Sequence, residues 1–206
     1  MAFDECTDYP STYENAEDSM NLTHRWAQRS VDYFHKNKNG HLLFGIVQGG
    51  MHEALRKESL EFMKNLDLDG IALGGLSVGE PKEEKTKILK LLAPLLPDDK
   101  AHYVMGVGTP EELVEGVRHG IDMFDCVMPT RSGRTGLAFT WNGRINIKNN
   151  RYKDDNTPLD DNCTNLNLNK YSKNYLNHLF NTNEILASML LTLHTVSYTH
   201  LTLPTK

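Results

Sequence analysis

The chain has 206 residues, 39% of them apolar and 24% charged, with a formal net charge of −5. These are the proportions of an ordinary soluble globular protein, enough for one domain and a small appendage. The acidic balance argues against indiscriminate nucleic-acid binding, and no apolar run is long enough to span a bilayer.

The three cysteines, Cys6, Cys126 and Cys163, are odd in number and far apart, which suits a reducing cytoplasm better than a disulfide framework. Residues 1–7 read as the end of a strand and its exit, with no signal peptide, so the sequence is expected to be a truncated barrel. A loop over 8–17 leads into a helix from about Ala16 to Lys36, ended by Asn37–Gly40. Residues 42–47 read as a buried parallel strand that exits into Gln48-Gly49-Gly50. Residues 52–65 form an amphipathic helix. The strand 70–73 runs into the glycine-rich 74–79, and Pro81 opens a further helix reaching Leu95. The strand 101–105 exits into Gly106-Val107-Gly108. Thr109-Pro110-Glu111-Glu112 then carries a capping residue, a first-turn proline and the glutamate of a capping box, and this helix ends near His119-Gly120.

An apolar run from Ile121 leads to Asp125, followed by a loop rich in glycine and arginine up to Gly136. Residues 137–147 read as a β-hairpin turning at Asn142-Gly143. Residues 150–169 are polar and irregular, and 171–194 are helical. Strand–loop–helix repetition with short connections implies an α/β fold, either a parallel sheet or a (β/α)8 TIM barrel. The strands exit into glycines, so several backbones can approach one ligand at a single rim. Asp125 at such an exit is a candidate nucleophile, although a strand-end aspartate is also a common cap or turn residue. Gln48 and Met105 alone read as core or rim positions, and Cys6 and Cys126 as small buried residues. Between Cys126 and Lys153 stand six basic residues and no acidic one, leaving 16 Lys and Arg against 27 Asp and Glu elsewhere. That stripe suits either phosphate contact or an ordinary solvated face.

Five motifs occur together: Met-Ala-Phe-Asp-Glu-Cys (1–6), Gly-Ile-Val-Gln-Gly-Gly (45–50), Leu-Gly-Gly-Leu-Ser-Val-Gly-Glu (73–80), Tyr-Val-Met-Gly-Val-Gly (103–108) and Asp-Met-Phe-Asp-Cys-Val-Met-Pro-Thr-Arg (122–131). In this set and order the chain resembles the tRNA-guanine transglycosylases, most closely the bacterial branch. The resemblance implies a (β/α)8 barrel with a zinc-bearing appendage. It also implies an exchange of the anticodon wobble guanine for 7-aminomethyl-7-deazaguanine (preQ1) in queuosine biosynthesis, in a cytoplasmic homodimer. Asp125 then matches the nucleophile at the ribose anomeric carbon. Asp4 matches the carboxylate on the purine edge, Gln48 a side-chain amide contact and Gly75 a backbone contact. Met105 matches a residue stacked on the base, Leu76 one lining the aminomethyl pocket, and Arg131 and Arg134 the grip on anticodon-loop phosphates. Val78 favours preQ1 over the bulkier queuine.

The chain departs from that pattern in two places. The family's Asp-Ser-Gly-Gly-Phe-Gln motif, with its proton-transfer aspartate and a base-sandwiching aromatic residue, is absent, so the isolated chain is expected to be inactive. The zinc site keeps Cys163 and His194 as its metal ligands but has Asn165 and Leu168 where two further cysteines belong, which makes zinc doubtful. The implied division is a partial barrel over 1–155, a degenerate zinc-type subdomain over 156–194 and an unrelated tail over 195–206. A non-catalytic tRNA- or partner-binding homologue is the alternative reading, disfavoured because Asp125 is present. An unrelated barrel glycosidase would leave the purine-edge motif at Asp4 unexplained.

Overall fold

The computed structural model describes residues 1–37, 40–163 and 167–197. The chain divides into two compact units, Met1–Cys126 and Val127–Lys206. Asn165 and residues 198–206 of the expected tail lie outside the described residues.

In the first unit, helix α1 (Tyr13–Lys36) begins earlier than the hydrophobic pattern alone predicts, because the Thr12 hydroxyl accepts the Asn15 N–H and caps it. Its buried stripe is Ala16, Met20, Thr23, Ala27 and Val31, the spacing of one helical face. Strand β1 (Phe44–Val47) leads to α2 (Glu53–Lys64), β2 (Gly70–Leu73) to α3 (Lys82–Leu92), and β3 (Ala101–Val104) to α4 (Pro110–Arg118), before β4 (Met123–Phe124). Both arms of the capping box at Thr109 and Glu112 are present.

The four strands form one parallel sheet in the order β1-β2-β3-β4. Val47 pairs with Leu73, Leu73 with Val104, and Val104 with Phe124, so the four strands end level. β2 is buried along its whole length, as a central parallel strand covered on both faces must be. Its residues Ile71 and Leu73 join Val47, Leu60, Met63, Ile88, Leu92 and Val104 in the core. Burying each such side chain is worth roughly 1.5–3 kcal/mol, and this is what holds the helices on the sheet.

In the second unit the expected loop after Asp125 contains a helix, α5 (Met128–Thr135). Its Gly and Arg residues hid the signs of a helix: Pro129 in the first turn, and Gly136 as a left-handed C-cap at φ 86°. A Cβ on Gly133 would lie 2.4 Å from Thr192 Oγ1 and 2.9 Å from the Ser188 carbonyl, so glycine is what lets α5 lie against the last helix. The antiparallel hairpin β5 (Leu137–Thr140) and β6 (Gly143–Asn146) turns through Trp141-Asn142, with Thr140 paired to Gly143. The turn therefore falls one residue earlier than expected, with Gly143 at φ 107° opening β6.

The helical stretch over 171–194 is two helices, α6 (Lys173–Asn181) and α7 (Ile185–Val196). Asn183 at φ 58° breaks them apart, and the Glu184 N–H closes back on the Leu179 carbonyl. α7 runs through Thr195 and Val196, the first residues of the expected tail. Ala138, Ile147, Leu168, Leu176, Leu179, Ala187 and Leu191 are central to this unit's own core.

Candidate active site

The sheet register builds the rim. One residue beyond the level strand ends come Gln48, Gly74, Met105 and Asp125, one from each strand. Gly74 donates its N–H to the Val47 carbonyl and Met105 to the Leu73 carbonyl, so the alignment continues past the strands. Asp4 reaches the same rim from the other side of β1. Ala2 N–H bonds the Phe44 carbonyl at 2.8 Å, while Glu5 is pinned to α1 through Thr23 Oγ1 and Ser19 Oγ.

Two clusters result. In the first, the Gln48 side-chain amide donates to Asp4 Oδ2 at 2.6 Å, with Gln48 only 1% exposed. Glycine is required beside them. A Cβ on Gly74 would lie 2.7 Å from Gln48 Nε2, and one on Gly75, at φ 61°, would lie 2.5 Å from Gln48 Oε1. In the second cluster, Asp125 is exposed and its Oδ1 accepts from the Tyr103 hydroxyl at 2.8 Å and from the Gly106 N–H at 3.0 Å. Both bonds fall on Oδ1, so the carboxylate is oriented through one oxygen and Oδ2 keeps its lone pairs. Partial burial, then the Asp125 hydrogen bond and charge, push the Tyr103 hydroxyl up to about 12, so it stays a donor at neutral pH.

Met105 lies between these clusters in the row, and its neighbour Gly106 makes the bond to Asp125. The Leu76 side chain is 2% exposed and packs in the main core. The loop beyond it is held by Glu80, whose carboxylate accepts the N–H groups of Ser77 and Val78. Cys6 is exposed and Cys126 half-buried, so neither is the buried core residue expected from its type.

Sequence reasoning missed three supporting groups. Tyr103 holds the nucleophile candidate. His24 is stacked on Phe62 at 4.1 Å and bonded to Ser59, whose hydroxyl in turn accepts the Gln48 backbone N–H. Arg56 lies wholly buried beneath the glycine loops. A tyrosine two residues before a predicted strand exit carries a weak signal. His24 and Arg56 sit within helical patterns and carry none.

Arg131 and Arg134 belong to the second unit, where both are exposed on α5. Cys163 and His194 also lie in that unit and are both buried. Cys163 Sγ is 3.9 Å from Ser197 Oγ, which bonds the His194 carbonyl, so the two residues share a neighbourhood. His194 Nε2 bonds the Phe139 carbonyl at 2.8 Å, and burial lowers the pKa of the ring. A carbonyl only accepts, so Nε2 carries the proton there. Leu168 is buried in the apolar cluster and has no lone pair to give. Among the described residues no three His, Cys, Asp or Glu side chains converge as a metal set. These residues do not fit a tetrahedral zinc site.

A parallel β/α sheet with a carboxylate, an amide and two glycine loops gathered at its carboxyl rim defines a class: an α/β protein with a polar ligand site at the strand ends. A family model described as queuine tRNA-ribosyltransferase matches residues 1–203. Queuine tRNA-ribosyltransferase of Vibrio atlanticus (strain LGP32) is 54% identical over 198 residues, covering 96% of this chain and 52% of the relative. Its namesakes in Actinobacillus pleuropneumoniae serotype 5b and Janthinobacterium sp. (strain Marseille) are 55% and 54% identical, each over 96% of this chain. The chain belongs to the queuine tRNA-ribosyltransferase family. It spans about half the length of the curated relatives it matches.

Proposed function

We propose that the chain carries the base pocket and the nucleophile of a tRNA-guanine transglycosylase, a pentosyltransferase that replaces the anticodon wobble guanine with preQ1. The observation that carries this reading is the register-aligned row Gln48, Gly74, Met105 and Asp125, with Asp4 bonded to Gln48 beside it. Asp4 can accept two N–H bonds from a purine's amidine edge, Gln48 can turn its amide to the 6-oxo oxygen, and the Met105 sulfur suits a flat ring. The target base must leave its stack to reach such a pocket.

Asp125 Oδ2 attacks C1′ of the ribose. The C1′–N9 bond breaks, its electron pair leaves with guanine, and guanine takes up a proton at N9. The entering base then attacks C1′ from the vacated side, the C1′–Oδ2 bond breaks, and the proton lost from the entering base balances the one gained by guanine. Two inversions give net retention, as in a retaining glycosidase. Arg131 and Arg134 serve as phosphate contacts for the anticodon loop, and the fold is completed as a (β/α)8 barrel in a cytoplasmic homodimer.

The test takes the Vibrio atlanticus relative and replaces the stretch that aligns with residues 1–155 of this chain by those residues. The chimera should exchange labelled guanine into tRNA and form a covalent tRNA adduct, and Asp125→Asn should abolish both. An adduct that survives Asp125→Asn rules out the assignment.

For the second unit we infer a fold that closes without zinc. Leu168 in the core and the His194–Phe139 hydrogen bond support this reading. Stoichiometric, chelator-resistant zinc in the purified protein would refute it.

A further inference from the structure

Among the described residues Arg56 is the largest fully buried side chain, at 0% exposure, and its hydrogen bonds there all go to backbone carbonyls. Nε bonds Gly50 O at 2.6 Å. Nη1 bonds Val47 O at 3.0 Å and Gly74 O at 2.6 Å, and Nη2 bonds Gly75 O at 3.1 Å. Burial lowers the guanidinium to about 10, so it stays cationic at neutral pH. A buried cation is costly, and four carbonyl dipoles are what offset that cost here.

The identity of those carbonyls matters. A peptide unit is planar and trans, so its C=O and N–H point in opposite directions. Drawing the Val47 carbonyl onto Arg56 turns the Gln48 N–H the other way, where it meets Ser59 Oγ at 3.1 Å. Drawing the Gly74 and Gly75 carbonyls onto Arg56 likewise turns the N–H groups of Gly75 and Leu76 away from the guanidinium, and the loop itself lies against the pocket, since a Cβ on Gly74 would come 2.7 Å from Gln48 Nε2 and 3.4 Å from Asp4 Oδ2. Gly75 is itself wedged between the two side chains. A Cβ there would lie 2.5 Å from Gln48 Oε1 and 3.1 Å from Arg56 Nη2. Lysine cannot reproduce this, because a single ammonium on a flexible stem cannot hold four carbonyls spread around a planar fork.

We infer that Arg56 is the positioning residue of the base pocket: it aims the Gly75 N–H at the oxo acceptor of a bound purine by holding the carbonyls of Gly74 and Gly75. The inference deepens the transglycosylase reading and rests on it for the identity of the ligand.

The test uses the 206-residue chain, with guanine and 6-thioguanine as probes. 6-Thioguanine keeps N1–H and the 2-amino group but presents sulfur, a poor acceptor. Calorimetry should show the wild type preferring guanine by roughly tenfold, the worth of one good hydrogen bond. Arg56→Lys should lose that preference while keeping the 6-thioguanine affinity. Equal losses for both bases, or an unchanged preference, would overturn the inference. Amide NMR supplies the second measurement. In Arg56→Lys the Gly75 and Leu76 resonances should move while those of α1 stay in place, and unmoved Gly75 and Leu76 resonances overturn it. If Arg56→Lys fails to fold, the wild type alone decides: guanine must shift the Gly75 amide more than 6-thioguanine does, and equal shifts overturn the inference. A wild type that binds neither base refutes the purine-pocket reading instead, and the clamp is then judged by the amide resonances of Arg56→Lys.

Discussion

In the parallel sheet, Gln48, Gly74, Met105 and Asp125 share a row because Val47, Leu73, Val104 and Phe124 are in register. In the second unit, Cys163 and His194 come near each other because Leu168, Leu176, Ala187 and Leu191 pack into one core. The first arrangement is fixed by backbone hydrogen bonds. The second depends on which side chains are present, and here an apolar residue stands where a ligand is expected. A position set by a ladder is therefore specified by backbone geometry, whereas a site made wholly of side-chain donors is specified residue by residue.

Truncating the second unit's core tests that contrast most severely. Leu191 is 0% exposed within the cluster that would replace a metal. Leu191→Ala should destabilise the protein by about 2–5 kcal/mol, measured by urea denaturation. A loss below about 1 kcal/mol would mean that the apolar cluster is not what holds this unit together.

Much of the rim was legible from sequence because strands followed by glycines announce both where a chain turns and how closely it can approach a ligand. Gly74, Gly75, Gln48 and Asp125 all sit at such exits. What supports the rim was not legible. Arg56 and His24 occupy helical positions where arginine and histidine ordinarily face solvent, and only the three-dimensional meeting of α1, α2 and two loops buries them. The sequence of α5 reads as a loop because glycine and arginine dominate it, yet its glycines serve contact with α7 and the C-cap. The helical pattern over 171–194 does not show the break at Asn183, a residue type that tolerates the left-handed conformation.

His24 sharpens the comparison from the side of the first unit, since it supports the Gln48 backbone through Ser59. Burial lowers its pKa to about 4, from 6.5 in the unfolded chain. The unfolded state therefore binds the extra proton first. The stabilisation is complete above about pH 6.5 and is lost as pH falls toward 4, the loss reaching about 2 kcal/mol by pH 5. His24→Asn should flatten the stability profile between pH 6.5 and 4, measured by denaturant midpoints across that range. A profile equally steep in the variant would assign the acid sensitivity to other groups.

A smaller effect is expected at the helix that leads into β4. The Thr109 hydroxyl accepts the Glu112 N–H, and Glu112 Oε2 accepts from the Thr109 backbone at 3.3 Å, which closes the capping box. Thr109→Ala should cost about 1 kcal/mol. Because Asp125 is oriented by Tyr103 and Gly106 from the neighbouring strand rather than by α4, guanine binding should be unchanged in this variant. A matching loss of binding would show that the rim depends on helix packing as well as on register.

The smallest expected effect discriminates most sharply between the two modes of construction. A structural zinc site contributes on the order of 10 kcal/mol of binding free energy to the fold that holds it, so stripping the metal from such a site collapses the surrounding chain. A unit held by Leu168, Leu176, Leu191 and the His194–Phe139 hydrogen bond has no such dependence. The melting temperature in excess EDTA should match that in its absence to within about 1 °C, a shift worth only a few tenths of a kcal/mol for a chain of this size. Adding zinc to the chelator-treated protein should leave it unchanged as well. A large fall in EDTA that zinc reverses would restore the metal to the second unit, and its ligands beyond Cys163 and His194 would then have to come from outside the described residues.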